Sequence, residues 1–408
     1  MGLALAGRTA QRLQEETGIG SITIQQLRLE LERGWQLPLS SVLVVDEAAM
    51  VGTRDLAWLG DEAQKARAKL VLVGDDQQLP EIDAGGGFRG LTARLGAAEL
   101  TVNRRQAEHW ERHALDLIRD GRGGAALAMY KEREAVVEAK TAGLLRDRIL
   151  KDWLDARDRG EDVRIVARRR CEVADLNQRA RALLRDRGEV HGPDLEVNEG
   201  LFAVGDEIVT RRNNRSLGVT NGTMGRVVQI NQTSAELRMQ TPDGRELCLP
   251  PAYVAGRREW DRVPHVMHAY ATTAHLAQGA TFDRALVLAG EEITKEWGYV
   301  ALSRGRKGSR LYAIDDAGRQ EDALEQPHGT QHAPDSVQQV ARGLERSEAK
   351  TMALVDSARG SPQQADHASR KERQLAWLRH GASHAGKTAG GRDQESDCLR
   401  DRIRDREL

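Results

Sequence analysis

Cysteine is scarce in this sequence and never clustered: Cys171, Cys248 and Cys398 are the only three in 408 residues. None stands at zinc-ligand spacing from another, so no metal knuckle organises the chain. Long apolar runs are missing too. No stretch approaches the ~18 residues that a membrane-spanning helix requires. The opening MGLALA is too short for the core of a signal peptide, and Ala6 stands where myristoylation wants Ser or Thr. A cytoplasmic location is the expectation. Charge of one sign is also absent, because 61 basic residues meet 62 acidic ones for a net −1. That balance argues against a histone-like coating protein but leaves room for a motor that grips a strand in one groove. No internal repeat is visible.

What is present is a polar, soluble composition with 39% hydrophobic and 30% charged residues, long enough for two or three domains. Short β-branched runs at 41–45 (SVLVV), 69–73 (KLVLV), 163–167 (VRIVA), 285–288 (ALVL) and 311–314 (LYAI) alternate with charged helical stretches. Continuous apolar strands between helices predict a parallel sheet covered on both faces, with its chemistry beyond the strands' carboxyl ends. Between residues 201 and 254 the pattern becomes short strands broken by Asn221-Gly222 and Asp243-Gly244, which predicts a small antiparallel meander or barrel. After about residue 314 the strand pattern ends. Residues 316–408 read as a polar, mostly flexible tail, with candidate helices at 337–355 and 368–378 and no sheet to dock on.

Two strand ends deliver carboxylates. Residues 44–50 (VVDEAAM) place Asp46 and Glu47 after an apolar strand, where a nucleotide hydrolase wants one carboxylate for magnesium, usually through water, and one for the attacking water. A surface pair capping the next helix is the plainer alternative. Residues 73–80 (VGDDQQLP) repeat the layout, and Gln78 at a neighbouring strand end can sense a γ-phosphate; a plain Gly-Asp turn is the alternative. Two such motifs in succession favour the functional reading. The runs Arg168-Arg169-Arg170 and Arg211-Arg212 are open between phosphate contacts and solvated charge at strand ends.

Taken in order, these segments resemble the motifs of superfamily 1 DNA helicases of the RecD-like (1B) kind. Residues 46–49 are similar to motif II and residues 74–79 to motif III. Residues 100–106 (LTVNRRQ) resemble motif IV, 269–281 (AYATTAHLAQGAT) motif V, 299–306 (YVALSRGR) motif VI, and 7–24 motif Ia. Segments 204–209 and 221–225 resemble the SH3-like barrel of such enzymes, and the wording is nearest the helicase half of TraA/TrwC-type conjugative relaxases.

The resemblance implies two RecA-like lobes, ATP and Mg2+ as cofactors, and single-stranded DNA as partner. An N-terminal relaxase or P-loop polypeptide, or other conjugation proteins, are further implied partners. It assigns Glu47, Gln78, Arg105 and Arg304 to catalysis, and Asp46 (with its Mg2+), Gln78, Arg105, Gly279 and Arg304 to the nucleotide. DNA contacts fall to Arg8, Thr23, Arg211, Arg212, His275 and Thr281. Domains are expected at 1–120 (partial lobe 1), 121–200 and 261–315 (lobe 2), 201–260 (insert) and 316–408 (tail). The function implied is an ATP-dependent helicase or translocase module, with an ATPase-deficient DNA-binding remnant as the alternative.

The sequence departs from the family pattern in three places. The Gly-rich loop ending Lys-Thr or Lys-Ser, which the family puts ahead of motif Ia, is not found there. Only residues 381–388 (GASHAGKT) match its expression. A helical, charged stretch precedes that match and no apolar helix follows, so it is read as chance rather than as a rearranged P-loop. Leu276 stands where relatives carry a basic residue, which removes one phosphate contact. Gln25 stands where relatives often have histidine.

Overall fold

A computed structural model of the chain describes residues 1–81, 84–100, 103–197, 200–256, 264–290, 292–314 and 336–350. The 381–388 match and the candidate helix at 368–378 lie outside these residues.

The first lobe has strands β1 (Gly2–Ala4), β2 (Ser21–Thr23), β3 (Val42–Val45) and β4 (Lys69–Leu72). They form one parallel sheet in the order β2-β1-β3-β4. Helices α1 (Gly7–Thr17), α2 (Ile24–Glu32), α3 (Thr53–Lys65) and α4 (Gly87–Leu95) connect and cover it. Strand β1 was not among the expected runs. It is only three residues long, yet Leu3 and Ala4 are wholly buried because β2 and β3 flank it.

The second lobe begins earlier than expected. Helix α5 (His109–Arg119) presents Ala114, Leu115 and Ile118 to the core beneath the second sheet, not the first. Gln106 also donates from Nε2 to the carbonyls of Ser303 (2.9 Å) and Gly305 (3.2 Å). The expected boundary at 120 therefore moves upstream, since α5's apolar stripe gave no sign of which sheet it would meet. Next come α6 (Gly123–Glu132), β5 (Val136–Ala139), α7 (Ala142–Asp158), β6 (Val163–Ala167) and α8 (Arg170–Asp186).

The insert follows as a ribbon of β7 (His191–Val197) and β8 (Gly200–Val204), then β9 (Glu207–Thr210), β10 (Met224–Asn231), β11 (Glu236–Gln240), β12 (Glu246–Leu249), α9 (Pro251–Val254) and β13 (Val266–His268). Its five-stranded sheet is antiparallel, in the order β12-β11-β10-β9-β13. Both predicted turns contain glycines in the left-handed region, Gly222 at φ 93° and Gly244 at φ 85°. The insert runs past the expected end at 260, because β13 returns to pair with β9.

The chain re-enters the second lobe through β14 (Ala271–Thr273), α10 (Ala274–Ala277), β15 (Phe282–Leu288), α11 (Lys295–Leu302) and β16 (Gly305–Ile314). That sheet is parallel, in the order β14-β6-β15-β16-β5, with an apolar core on each face. The α/β reading and all five predicted apolar strands are present.

The tail reading needs correction for residues 336–350. Helix α12 (Ser336–Glu345) buries Val337, Val340 and Leu344 against the second lobe. Its seat is made by glycine: a Cβ on Gly123 would lie 2.5 Å from the Leu344 Cβ, and one on Gly298 would strike the Leu344 side chain. The helix docks chiefly on α6, with α11 and β16 beside it, and the strand pattern gave no hint of that seat.

Deep in this lobe Glu111 is fully buried. The Tyr130 hydroxyl donates to its Oε1 at 3.5 Å, and Ser309 lies close enough to oppose the effect of burial on the carboxyl. Burial pushes its carboxyl up to about 7.

Two measurements check this packing. Leu344→Ala should destabilise the chain by about 2–5 kcal/mol in a urea titration, whereas a loose segment would give under about 0.5 kcal/mol. For Glu111 the folded state binds more protons than the unfolded state between about pH 4.5 and 7, so its contribution to stability falls as pH rises through that window. Glu111→Gln should remove up to about 3 kcal/mol of that fall, read from denaturation midpoints at pH 5 and pH 7.5.

Candidate nucleotide cleft

Strands β1, β3 and β4 are in register, and their carboxyl ends finish level. This puts Asp46 and the turn that carries Asp75 beyond the same end of the sheet. The approach is close: the Ala48 amide donates to the Val73 carbonyl at 2.8 Å. At Gly74 a Cβ would lie 2.8 Å from the Ala49 nitrogen, so only glycine fits there. Glu47 is in the left-handed region at φ 52°, ψ 39°, a conformation costing a non-glycine residue about 1 kcal/mol. It is held there by its amide, which donates to the Asp46 Oδ1 at 2.9 Å. Burial, and then Asp46, raise the Glu47 carboxyl above its ordinary range, while Arg304 and a hydrogen bond with Gln278 oppose them.

Asp75 is the hub of the second motif. Its Oδ1 accepts from the Gln77 amide at 3.0 Å, and its Oδ2 accepts from Gln78 Nε2 at 3.3 Å and from the Tyr299 hydroxyl at 3.3 Å. Burial and Asp75 push the Tyr299 hydroxyl up to about 12, so it remains a donor. Two further bonds cross between the lobes. Lys295 donates from Nζ to Gln77 Oε1 at 3.0 Å, and Gln278 donates from Nε2 to Gln78 Oε1 at 3.2 Å. The second motif of the first lobe is thus tied to α11 and to the turn after α10.

Opposite the carboxylates lie arginines. Arg304 is 1% exposed and donates from Nε to the Val300 carbonyl (2.8 Å), from Nη1 to the Ala280 carbonyl (3.2 Å) and from Nη2 to the Ser303 hydroxyl (2.8 Å). Burial, and then Arg105, push it down to about 9, against the pull of Glu47 and Tyr299, so it stays charged at neutral pH. Arg105 donates from Nη1 to the Ser303 carbonyl at 3.4 Å, and burial lowers it. Arg12, on α1, donates to the Gly279 carbonyl.

The structure therefore brings Asp46, Glu47, Gln78, Arg105, Gly279 and Arg304 to one cleft. Sequence reasoning missed Asp75, Tyr299, Lys295, Gln278 and Arg12 as participants. Gln278 and Tyr299 lay inside motifs already quoted. Lys295 had no local signal.

The residues expected to touch DNA are placed elsewhere, and several are already engaged. Arg8 donates from Nη1 to the Gly222 carbonyl at 2.9 Å, joining α1 to the insert's Asn-Gly turn. Thr23 caps α2 by accepting the Gln26 amide at 3.1 Å. Arg211 sits 3.1 Å from the Met267 sulfur and is lowered by burial, and Arg212 lies 3.2 Å from the His265 ring. His275 and Thr281 are exposed on either side of the Gln278-Gly279 turn.

The donor set at one end of the cleft is chemically compatible with magnesium. No group of three or more candidate ligands for a metal ion occurs among the described residues. One carboxylate plus phosphate oxygens and water is, however, the usual arrangement for magnesium. Asp46 is suited to that role. Gln278 Oε1 is buried without a partner among the described residues, leaving an acceptor in the cleft to be satisfied. At the other end, no described loop between a strand and a helix has the G-x-x-x-x-G-K-[ST] form.

A family model described as an AAA domain matches residues 1–141. The chain is 37% identical over 317 residues to a probable conjugal transfer protein TraA of Sinorhizobium fredii, covering 76% of this chain and 28% of that protein. It is 29% identical over 359 residues to the RecBCD enzyme subunit RecD of Mycolicibacterium smegmatis, covering 76% of this chain and 61% of that protein. Among solved structures, the Pif1 helicase from Bacteroides in complex with ADP-AlF3 and ssDNA is similar at 17% identity and a TM-score of 0.49, over 76% of this chain and 82% of that one. The chain spans little more than a quarter, 28%, of the length of its TraA relative.

Tyr299→Phe should loosen the cleft without unfolding it. Losing the bond to Asp75 should speed amide exchange at Gln77 and Gln78 by about 3–10-fold, the equivalent of one net hydrogen bond. Unchanged exchange would show that Tyr299 does not hold this turn.

Proposed function

This chain belongs to the superfamily 1B helicases, as a relative of TraA, and from that membership we propose that it is the nucleotide-driven, single-stranded-DNA-translocating part of a conjugative DNA-processing protein. The observation behind the reading is the cleft, in which Asp46, Glu47 and Gln78 at strand ends of one sheet face Arg105 and Arg304 from the other lobe. Bound there, a magnesium nucleotide would supply the phosphoryl group whose transfer to water drives the motion. Asp46 would hold the metal through water. Glu47, its carboxyl raised and its backbone strained into place, would orient the attacking water and accept its proton. Arg105 and Arg304 would stabilise charge on the transferred group. Gln78, bonded to Gln278, would carry the presence of the γ-phosphate across to the second lobe. Arg8, Thr23, Arg211, Arg212, His275 and Thr281 are the proposed contacts to single-stranded DNA. The insert is read as an SH3-like barrel.

A second reading has a specific observation in its favour. Because no described loop provides the lysine and amide cradle for the β- and γ-phosphates, the chain by itself is proposed to hydrolyse ATP weakly or not at all while still binding DNA. A P-loop or relaxase segment of the longer protein, or of a partner in conjugation, would complete the site.

The test is magnesium-dependent ATP hydrolysis by the purified chain with and without oligothymidylate, alongside DNA binding by fluorescence anisotropy. DNA-stimulated turnover that falls at least about 100-fold in Glu47→Gln supports a working motor. DNA binding without turnover supports the incomplete site. Absence of both would sink the helicase reading for this chain.

A further inference from the structure

Several arginines of this chain are neutralised by two carboxylates each. Arg157 pairs with Glu189 and Glu207, Arg181 with Asp194 and Asp206, and Arg187 with Asp158 and Glu189. At one surface cavity several basic side chains gather without such partners. This open cavity of about 660 Å³ is lined by Asn103, Arg104, His109, Arg112, His113 and Asp116. Among the described residues none of these four basic side chains forms an ion pair, although Asp116 lines the same cavity. Arg104, His109 and His113 are exposed. Arg112 is positioned by a single bond from its Nη1 to the Gln106 carbonyl at 3.1 Å.

Two features concentrate positive potential here. Arg104 and Arg112 bring two permanent charges. His109, Arg112 and His113 share one face of α5 at i, i+3 and i+4. The cavity is distinct from the cleft. Arg105 donates to Ser303 while its neighbour Arg104 lines the cavity, and none of Glu47, Asp75, Gln78 or Arg304 borders it.

We propose that this cavity is a second anion site that takes phosphate groups, outside the nucleotide cleft. Guanidinium forks match phosphate oxygens in pairs, the Asn103 amide adds a neutral donor, and each imidazole brings a ring N–H. The phosphates could come from a strand's backbone crossing the outside of α5 or from a small free ligand. A cavity this open favours a backbone passing over it. The proposal does not depend on hydrolysis in the cleft.

The test uses the full chain and follows the ring signals of His109 and His113 by NMR. Inorganic pyrophosphate is titrated in one arm and oligothymidylate in the other, both at low salt. Arg104→Gln and His113→Gln are compared with wild type; both positions are exposed, so the fold is not at stake, and a thermal melt verifies this. Saturable movement of the histidine signals, weakened about tenfold in Arg104→Gln as expected for one charge-assisted hydrogen bond, is the expected result. Movement with oligothymidylate but not pyrophosphate assigns the site to a nucleic-acid backbone, and the reverse assigns it to a small phosphate ligand. No movement with either probe, or movement that both variants leave unchanged, overturns the proposal.

Discussion

An arginine removed from water cannot relieve itself by giving up its proton near neutral pH, so its surroundings must satisfy it. Arg304 is in that position, and the rest of the cleft is arranged around it. Three of its five N–H groups, one on each nitrogen, are met by a carbonyl one helical turn back, by the Ala280 carbonyl ahead of β15 and by the neighbouring serine. These bonds fix the end of α11 against the start of β15. None of them is to a carboxylate, so the charge is satisfied locally but not cancelled. It therefore acts at longer range, opposing the burial that raises Glu47. A positive charge fixed in place before any ligand arrives needs no reorganisation later, which is what preorganised electrostatic stabilisation requires.

The two lobes communicate through bonds that are individually small. Tyr299 to Asp75, Lys295 to Gln77 and Gln278 to Gln78 each contribute on the order of 1 kcal/mol. All three converge on one turn after β4. The same turn is anchored by Leu79, which is buried among the apolar side chains of the second lobe, so these bonds and that contact together hold the turn to the second lobe.

How much of this was legible in the sequence depends on where the cause of each feature lay. Strands β3, β4, β6, β15 and β16 were visible because an apolar run ending in a polar residue is a local pattern. The carboxylates were visible for the same reason. Strand β1 was not, because three residues show no period and its burial comes from strands about 20 and 40 residues away. The boundary at α5 was misplaced because an amphipathic stripe says that a helix packs but not on what. The seat of α12 depends on Gly123 and Gly298, where a missing side chain is the signal. Lys295 reaches Gln77 across 218 residues, and no motif spacing encodes such a distance. Arg104 and Arg105 were one basic pair in the sequence; in space one faces the cleft and the other lines a cavity outside it.

Strand β4 closes one end of the first sheet, and among the described residues only β3 pairs with it. Among the described residues, no strand pairs with its outer side. Val73 just beyond it is 45% exposed, and a single cation, Lys69, guards its beginning. Such an edge is a template for any extended chain of matching pattern. Where such an edge is left uncovered, it favours pairing with another extended chain, and a charge at its start is one of the devices that discourage this.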